Sequence, residues 1–193
     1  MLPSPIDTPR YMMNKQFDIA TIQFRRANDD DAAAIEQLVN SGYRGDASRQ
    51  GWTTEADLLD GTRIELSEVQ QLISNEHSVI LLGLQNQEIV ACVLLQNEKN
   101  SSYLGMFVVR PTLQDQGIGR QLMQAAEQYV QTNWHSERIW MTVITRRSEL
   151  IAYYVRRGYV QTGIFKPFPP EVASAFGKVD NLQFEVLEKQ LKI

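Results

Sequence analysis

The apolar residues of this chain recur at two spacings, and the switches between them mark out its elements. From Ile19 to Arg26 the string IATIQFRR alternates in steps of two and predicts a first strand. Asn28 and Asp29 stand where a helix is capped, and Ala33, Ala34, Ile35, Leu38 and Val39 follow at helical spacing to about Ser41. HSVILLGL (77–84) and EIVACVLLQ (88–96) predict a hairpin turning at Gln85, Asn86 and Gln87, and Tyr103 to Val109 predicts the third strand of an antiparallel meander. A helix follows from about Ile118 to Gln131, with Leu122, Met123, Ala126 and Tyr129 or Val130 on one face. RIWMTVIT (138–145) predicts a strand, Ser148 to Arg157 a helix closed by Gly158, and Tyr159 to Phe165 another strand. The prolines of KPFPP (166–170) predict a bend, and Leu182 to Leu191 alternates as the last strand.

Two stretches break the scheme. Residues 1–17 hold three prolines and no period, which predicts a loosely held arm ahead of one domain over 18–193. Residues 42–75 are polar and glycine-punctuated. Thr53 or Thr54 is placed to cap a short helix over Glu55 to Leu59 with Gly61 as its stop, and a second helix is predicted from Ser67 to Ser74. So long a connection inside a compact domain is more often functional than idle.

Composition narrows the chemistry. With 193 residues, 43% hydrophobic and 22% charged, the chain is an ordinary globular one with room for one sizeable core. A net charge of −4 argues against a general nucleic-acid binder. The lone Cys92 lies in an apolar run, and two histidines are too few for a zinc centre, so no metal is expected. No apolar run approaches a membrane span of about 18 residues and the N-terminus lacks an apolar signal core, so the expected location is the cytoplasm, with no membrane partner.

The chemistry concentrates between Met106 and Gln131. There a strand gives way to Gly117 and Gly119 at a helix start, where amides without intrahelical partners and the helix dipole favour an anion. No third glycine completes a dinucleotide fingerprint, and no Gly-Lys-Ser/Thr makes a P-loop. The spelling Val109-x-Pro111-x-x-Gln114-x-x-Gly117-Ile118-Gly119 resembles the acyl-CoA-binding motif of the GNAT superfamily of N-acyltransferases. A second string agrees. Read alone, LIAYYVRRGY is an amphipathic helix with Arg156 and Arg157 at its negative end; Tyr154-Val155-Arg156-Arg157-Gly158-Tyr159 also resembles the Tyr-x-x-x-Gly-Phe/Tyr helix end of the same superfamily. The resemblance runs over about 19–191 and is strongest over 103–165. It departs at Arg147, where many members carry an asparagine that contacts the coenzyme.

The resemblance implies an α/β (α+β) single-domain fold: a mixed, mostly antiparallel twisted sheet of six to seven strands, flanked by about four helices, with its central strands splayed. It implies acetyl-CoA as cosubstrate, bound by Gln114, Asp115, Gln116, Gly117, Ile118, Gly119 and Arg120 at the diphosphate. Main-chain groups of Met106, Phe107, Val108 and Val109 would meet pantetheine, and Arg147 would reach pantetheine or phosphate oxygens. An N–H at Met106 or Phe107 would face the thioester carbonyl. Tyr154 is the candidate acid for the departing thiolate, because a phenol of pKa about 10 is protonated at neutral pH; Tyr153 reads as the core neighbour. No acid lies in 101–109, so either an acid from elsewhere, with Glu55 and Asp57 the candidates ahead of His77, or ordered water removes the amine proton. Tyr43, Trp52, Glu55, Phe165 and Phe168 are the candidate acceptor-binding residues. The expected activity is transfer of acetyl to a primary amine of a small or amino-acid-like acceptor by a monomer or homodimer. The alternatives are a non-catalytic acyl-CoA sensor and a protein lysine or N-terminal acetyltransferase.

Overall fold

A strand that is apolar on both faces needs a cover on each, and Glu88–Glu98 is such a strand. The structure, a computed structural model, describes residues 22–191. Its elements are β1 Gln23–Arg26, α1 Ala32–Tyr43, α2 Gly45–Ser48, α3 Leu66–Ser74, β2 Ser78–Gln85, β3 Glu88–Glu98 and β4 Ser101–Val109. They continue with α4 Ile118–Trp134, β5 Arg138–Ile144, α5 Ser148–Val155, β6 Val160–Pro167, α6 Pro170–Phe176 and β7 Gln183–Gln190. Val93 and Leu95 of β3 pack with Leu122, Met123, Ala126 and Val130 of α4. Cys92 and Leu94 point the other way, onto Ile35, Leu38 and Val39 of α1 and Val69 of α3. Fully burying one such aliphatic side chain contributes about 1.5–3 kcal/mol, so burial on both faces fastens the sheet between its helices.

Among the described residues the sheet has seven strands in the order β1-β2-β3-β4-β5-β7-β6. Antiparallel pairing links β1 through β4 and again β5, β7 and β6. The single parallel pair, β4 with β5, joins only Ser101–Arg138, Ser102–Ile139 and Tyr103–Trp140. Beyond Tyr103 the two strands part, so the sheet is splayed at its centre as the family resemblance implies.

Local signals were read at most ends. The Asn28 side chain accepts from Asp30 N, and Asp31 accepts from Asn28 N at 2.8 Å, closing a capping box ahead of α1. The hairpin turns through Asn86 and Gln87 at φ +51° and +69°, the left-handed pair a two-residue hairpin needs. Three local expectations are corrected. The helix over Glu55 to Leu59 is a single turn, with Leu58 N and Leu59 N both donating to Glu55 O, because Leu59 leaves to bridge Gly177. The KPFPP bend is followed at once by α6, since Pro170 stands at a first helical position, where its missing N–H costs nothing. Tyr153 is the half-buried member of its pair and Tyr154 the core one, at 4% exposed. The predicted arm over 1–17 and the start of the predicted first strand lie outside the described residues.

Candidate active site

The site begins with an irregularity in β4. Leu94 pairs with Gly105 and Cys92 with Val108, so Met106 and Phe107 both stand opposite Val93, a β-bulge. Met106 takes φ +48°, strained for a residue with a side chain, and packs among the α1 and α3 residues at 6% exposed. The Tyr43 hydroxyl donates to Phe107 O at 2.8 Å and fixes the bulge from α1.

One cavity, of about 670 Å³, runs from this bulge across the start of α4. Gly117 is the N-cap of α4 at φ +83°, with no side-chain cap. The first helical bond is Gln121 N to Gly117 O at 3.2 Å, so the amides of Ile118, Gly119 and Arg120 have no acceptor within the helix. A Cβ on Gly117 would meet nothing within 4 Å, whereas one on Gly119 would stand 2.7 Å from the Tyr153 hydroxyl. An uncapped helix start that opens into a cavity favours an anion there. Asp115 and Arg120 line it on one side, Tyr153, Arg156 and Arg157 of the α5 end on the other. The Arg157 guanidinium lies 3.3 Å from the Tyr153 ring centroid.

A second cavity, of about 220 Å³, opens between the parted β4 and β5. It shares Tyr43, Phe107, Arg147 and Leu150 with the first, so the two meet at the bulge. Tyr154 lines the second cavity, its ring 6.2 Å from that of Phe107 in an edge-on arrangement. Burial pushes the Tyr154 phenol well above its ordinary value, with the Tyr43 phenol adding to the rise and Arg147 opposing it. Tyr154 is therefore a neutral O–H donor throughout the physiological range.

Charge is organised around Glu55. Its carboxylate is held by Arg147 Nη1 at 2.7 Å through Oε1 and by Arg44 through Oε2, with side chains 7%, 10% and 9% exposed respectively. Arg147 also donates to Thr53 O. From the other side Gln114 accepts from Trp52 N at 2.9 Å and donates to Thr53 Oγ1 at 2.8 Å and Val109 O at 3.2 Å. The segment around Trp52 and Thr53 is thus clamped between the motif glutamine and the arginine that replaces the expected asparagine.

The structure brings together Phe107, Val109, Gln114, Asp115, Gly117, Gly119, Arg120, Arg147 and Trp52 on the larger cavity, and Met106, Phe107, Glu55, Arg147 and Tyr154 on the smaller; Tyr43 lines both. Val108 and Ile118 are buried against the core, and the Gln116 side chain is exposed and lines neither cavity. Asp57 lies outside both cavities, 72% exposed and paired with Arg49 at 2.8 Å. Phe165 is exposed on β6, and Phe168 stacks on Phe184 at 4.9 Å, touching the smaller cavity only through that neighbour. Sequence reading missed Tyr153, which a helical stripe through Glu149, Tyr153 and Arg157 carries to the larger cavity, and Arg63 on the smaller. The stripe was legible in the spacing. Arg63 carried no local signal.

Among the described residues no helix is long and apolar enough to cross a membrane, and no group of three or more His, Cys, Asp or Glu is placed to hold a metal. No curated protein matches the chain by sequence. Among solved structures, an N-acetyltransferase from Staphylococcus aureus Mu50 superposes with a TM-score of 0.68 at 14% identity, over 89% of this chain and 99% of that one. The ribosomal-protein-S18-alanine N-acetyltransferase of Escherichia coli gives 0.67 at 14% identity, over 90% and 96%. A spermidine N-acetyltransferase chimera from Vibrio cholerae gives 0.64 at 15%, over 88% and 95%. At these identities the likeness is one of fold. The family model described as "Acetyltransferase (GNAT) family" matches residues 34–159, from α1 to the end of the Tyr154 motif, and takes in the bulge, the open helix start and the splay. The chain belongs to the GNAT acetyltransferase family and is an acyltransferase.

Proposed function

We propose that the protein transfers the acetyl group of acetyl-CoA to a primary amine of a small acceptor by direct attack, with both substrates held at once on either side of the β4–β5 opening. The observation that carries this reading is the meeting of the two cavities at Phe107 and Tyr43, with Tyr154 lining the smaller one. The larger has the size of a cofactor pocket. Its α4 amides receive the diphosphate, with Arg120, Arg156 and Arg157 supplying cationic surroundings. Pantetheine runs along the edge of β4 that β5 leaves unpaired.

The smaller cavity has the volume of about seven waters, enough for a small amine. The amine nitrogen attacks the thioester carbonyl, the C–N bond forms, and the C–S bond breaks. An N–H of the bulge, at Phe107, stabilises the oxyanion, a kind of contact worth about 3 kcal/mol in acyl transfer. Tyr154 gives its proton to the leaving thiolate and recovers one from solvent. Arg63 and Arg147 on the cavity wall favour the neutral form of the arriving amine, whose proton leaves through water. Glu55, with both oxygens engaged by arginines, positions Arg147 and the Thr53 segment; Asp57 takes no part in proton transfer.

The test is release of free CoA thiol across a panel of amines. Tyr154→Phe is expected to lower kcat by about 100-fold while the KM for acetyl-CoA moves less than threefold, following the usual range for an acid catalyst. Full retention of kcat in the phenylalanine variant rules out Tyr154 as the acid.

A further inference from the structure

The smaller cavity is cationic, although the chain as a whole is acidic. Its walls carry Arg63 and Arg147, with Arg44 directly behind, against the single carboxylate of Glu55. Both oxygens of Glu55 are taken up by Arg44 and Arg147. Arg63 is left over: no carboxylate of the described residues stands within ion-pair distance of it. Glu65, two positions on, accepts from the Thr62 hydroxyl at 2.7 Å, and Glu68, which lines a neighbouring cavity with Arg63, is occupied in capping α3, accepting from Glu65 N at 2.9 Å. Among the residues lining the smaller cavity two arginines face one carboxylate, so the local sign is opposite to the net charge of the chain.

Arg63 is also held in place. Asn40 of α1 accepts from Arg63 N at 2.7 Å and from Ile64 N at 3.1 Å, and donates to Ile64 O at 2.9 Å. Three hydrogen bonds fix the main chain from which the guanidinium projects. That guanidinium stands 5.6 Å from the Tyr43 ring centroid and that of Arg147 5.9 Å, so one aromatic ring, whose hydroxyl is bonded to Phe107 O, carries two cations. One is satisfied within the protein, and the other faces the cavity beside the bulge.

Resting on the acetyl-transfer reading above, we infer that the acceptor is an anionic amine, an amino acid or similar molecule, whose carboxylate is received by Arg63 while its amino group is presented to the thioester at Phe107. Guanidinium and carboxylate pair in a planar, two-bonded geometry that an ammonium cannot offer. A polyamine would bring further positive charge to a cationic wall, which costs binding.

The experiment compares amino acids with their own primary amides, which keep the amine and lose only the anion. In the wild type, kcat/KM for the carboxylate member of the preferred pair is expected to exceed that of its amide about tenfold, and to fall towards parity between 50 and 500 mM salt as the charges are screened. Arg63→Gln is expected to bring the ratio within twofold. In parallel, calorimetry measures binding of the N-acetyl amino acid and the N-acetyl amide to the CoA complex, with the same tenfold ratio expected and its loss in Arg63→Gln. Equal use of both members, a preference for spermidine, or a ratio that survives Arg63→Gln overturns the inference while acetyl transfer itself stands. No thiol release with any amine, alongside selective binding of the N-acetyl carboxylate, overturns the catalytic reading and leaves the anion site in place. Absence of selective binding overturns the anion site directly.

Discussion

Glu55→Gln tests whether the arginine pair is held together by the carboxylate between it. In the wild type Arg44 and Arg147 are 9% and 10% exposed and share that one acid. The substitution keeps the shape and removes the charge, leaving two guanidinium groups facing each other out of water. Arg44 is worst placed, because its Nε already lacks a hydrogen-bond partner. Removing one member of a buried ionic group costs about 3–5 kcal/mol. For a chain of this length each kcal/mol corresponds to about 2–4 °C in Tm, so the midpoint is expected to fall by about 6–20 °C in calorimetry at neutral pH. Replacing the whole group, with Arg44→Met, Glu55→Leu and Arg147→Met together, is expected to restore most of that loss, since apolar replacements of buried ionic triads are often neutral. Limited trypsin digestion supplies a local reading: cleavage after Arg49 should quicken in Glu55→Gln before global unfolding, because the Thr53 segment loses its tether through Arg147. A midpoint within 2 °C of the wild type, with unchanged cleavage, refutes the reasoning and means that solvent screens the charges.

Alkali should unfold the protein steeply. Tyr43, Tyr154 and Tyr159 have phenols raised chiefly by burial, so their folded values lie above the unfolded one; the stability they contribute is complete below about pH 10 and declines above it, by about 1.4 kcal/mol per pH unit for each. A titration at 295 nm should show these three ionising only with unfolding, and early, reversible ionisation of all seven tyrosines counts against it. Gly42→Ala would place a Cβ 2.2 Å from Val108 Cγ2, so a loss of about 1–3 kcal/mol is expected in urea denaturation, along with reduced kcat as the bulge shifts. Gly117→Asn tolerates the left-handed backbone and should keep the Tm rise given by acetyl-CoA, whereas Gly117→Glu, which puts a carboxylate before the α4 amides, should abolish it. Gln114→Ala leaves Trp52 N without its acceptor, at a cost of about 1–3 kcal/mol, and should raise the KM for acetyl-CoA.

Most of the frame is local information. The unbroken apolar runs of β2 and β3, the alternation of β4 and the helical stripe of α4 follow from burial alone, and the Val109-to-Gly119 string locates the helix start that lines the larger cavity. What escaped was non-local. Arg63 matters because Asn40, on another element, fixes its main chain, and neither residue signals the other in sequence. Which of Tyr153 and Tyr154 enters the core depended on how α5 rolls in the fold, and Gly119 leaves the room beside it that the Tyr153 hydroxyl occupies. α6 was hidden by prolines that end elements and also begin them. Glu55, read from sequence as a candidate base, lines the smaller cavity, but its partners Arg44 and Arg147 lie 11 and 92 positions away, too far for spacing to reveal that its charge is already committed.

The joint between β4 and β5 has a mechanical meaning. Three residue pairs at one end are all that ties the strands β1–β4 to the strands β5, β7 and β6 within the sheet, so the molecule resembles two plates hinged along a short seam. Ligands seated in the gap lie on the far side of that seam and act as a brace, resisting rotation of one plate on the other. Amide hydrogen exchange should therefore slow at Phe107 to Val109 and at Val143 to Ile144, the free ends of the two plates, before it slows in the strands behind them. The gap belongs to neither plate by itself and exists only where the two are joined.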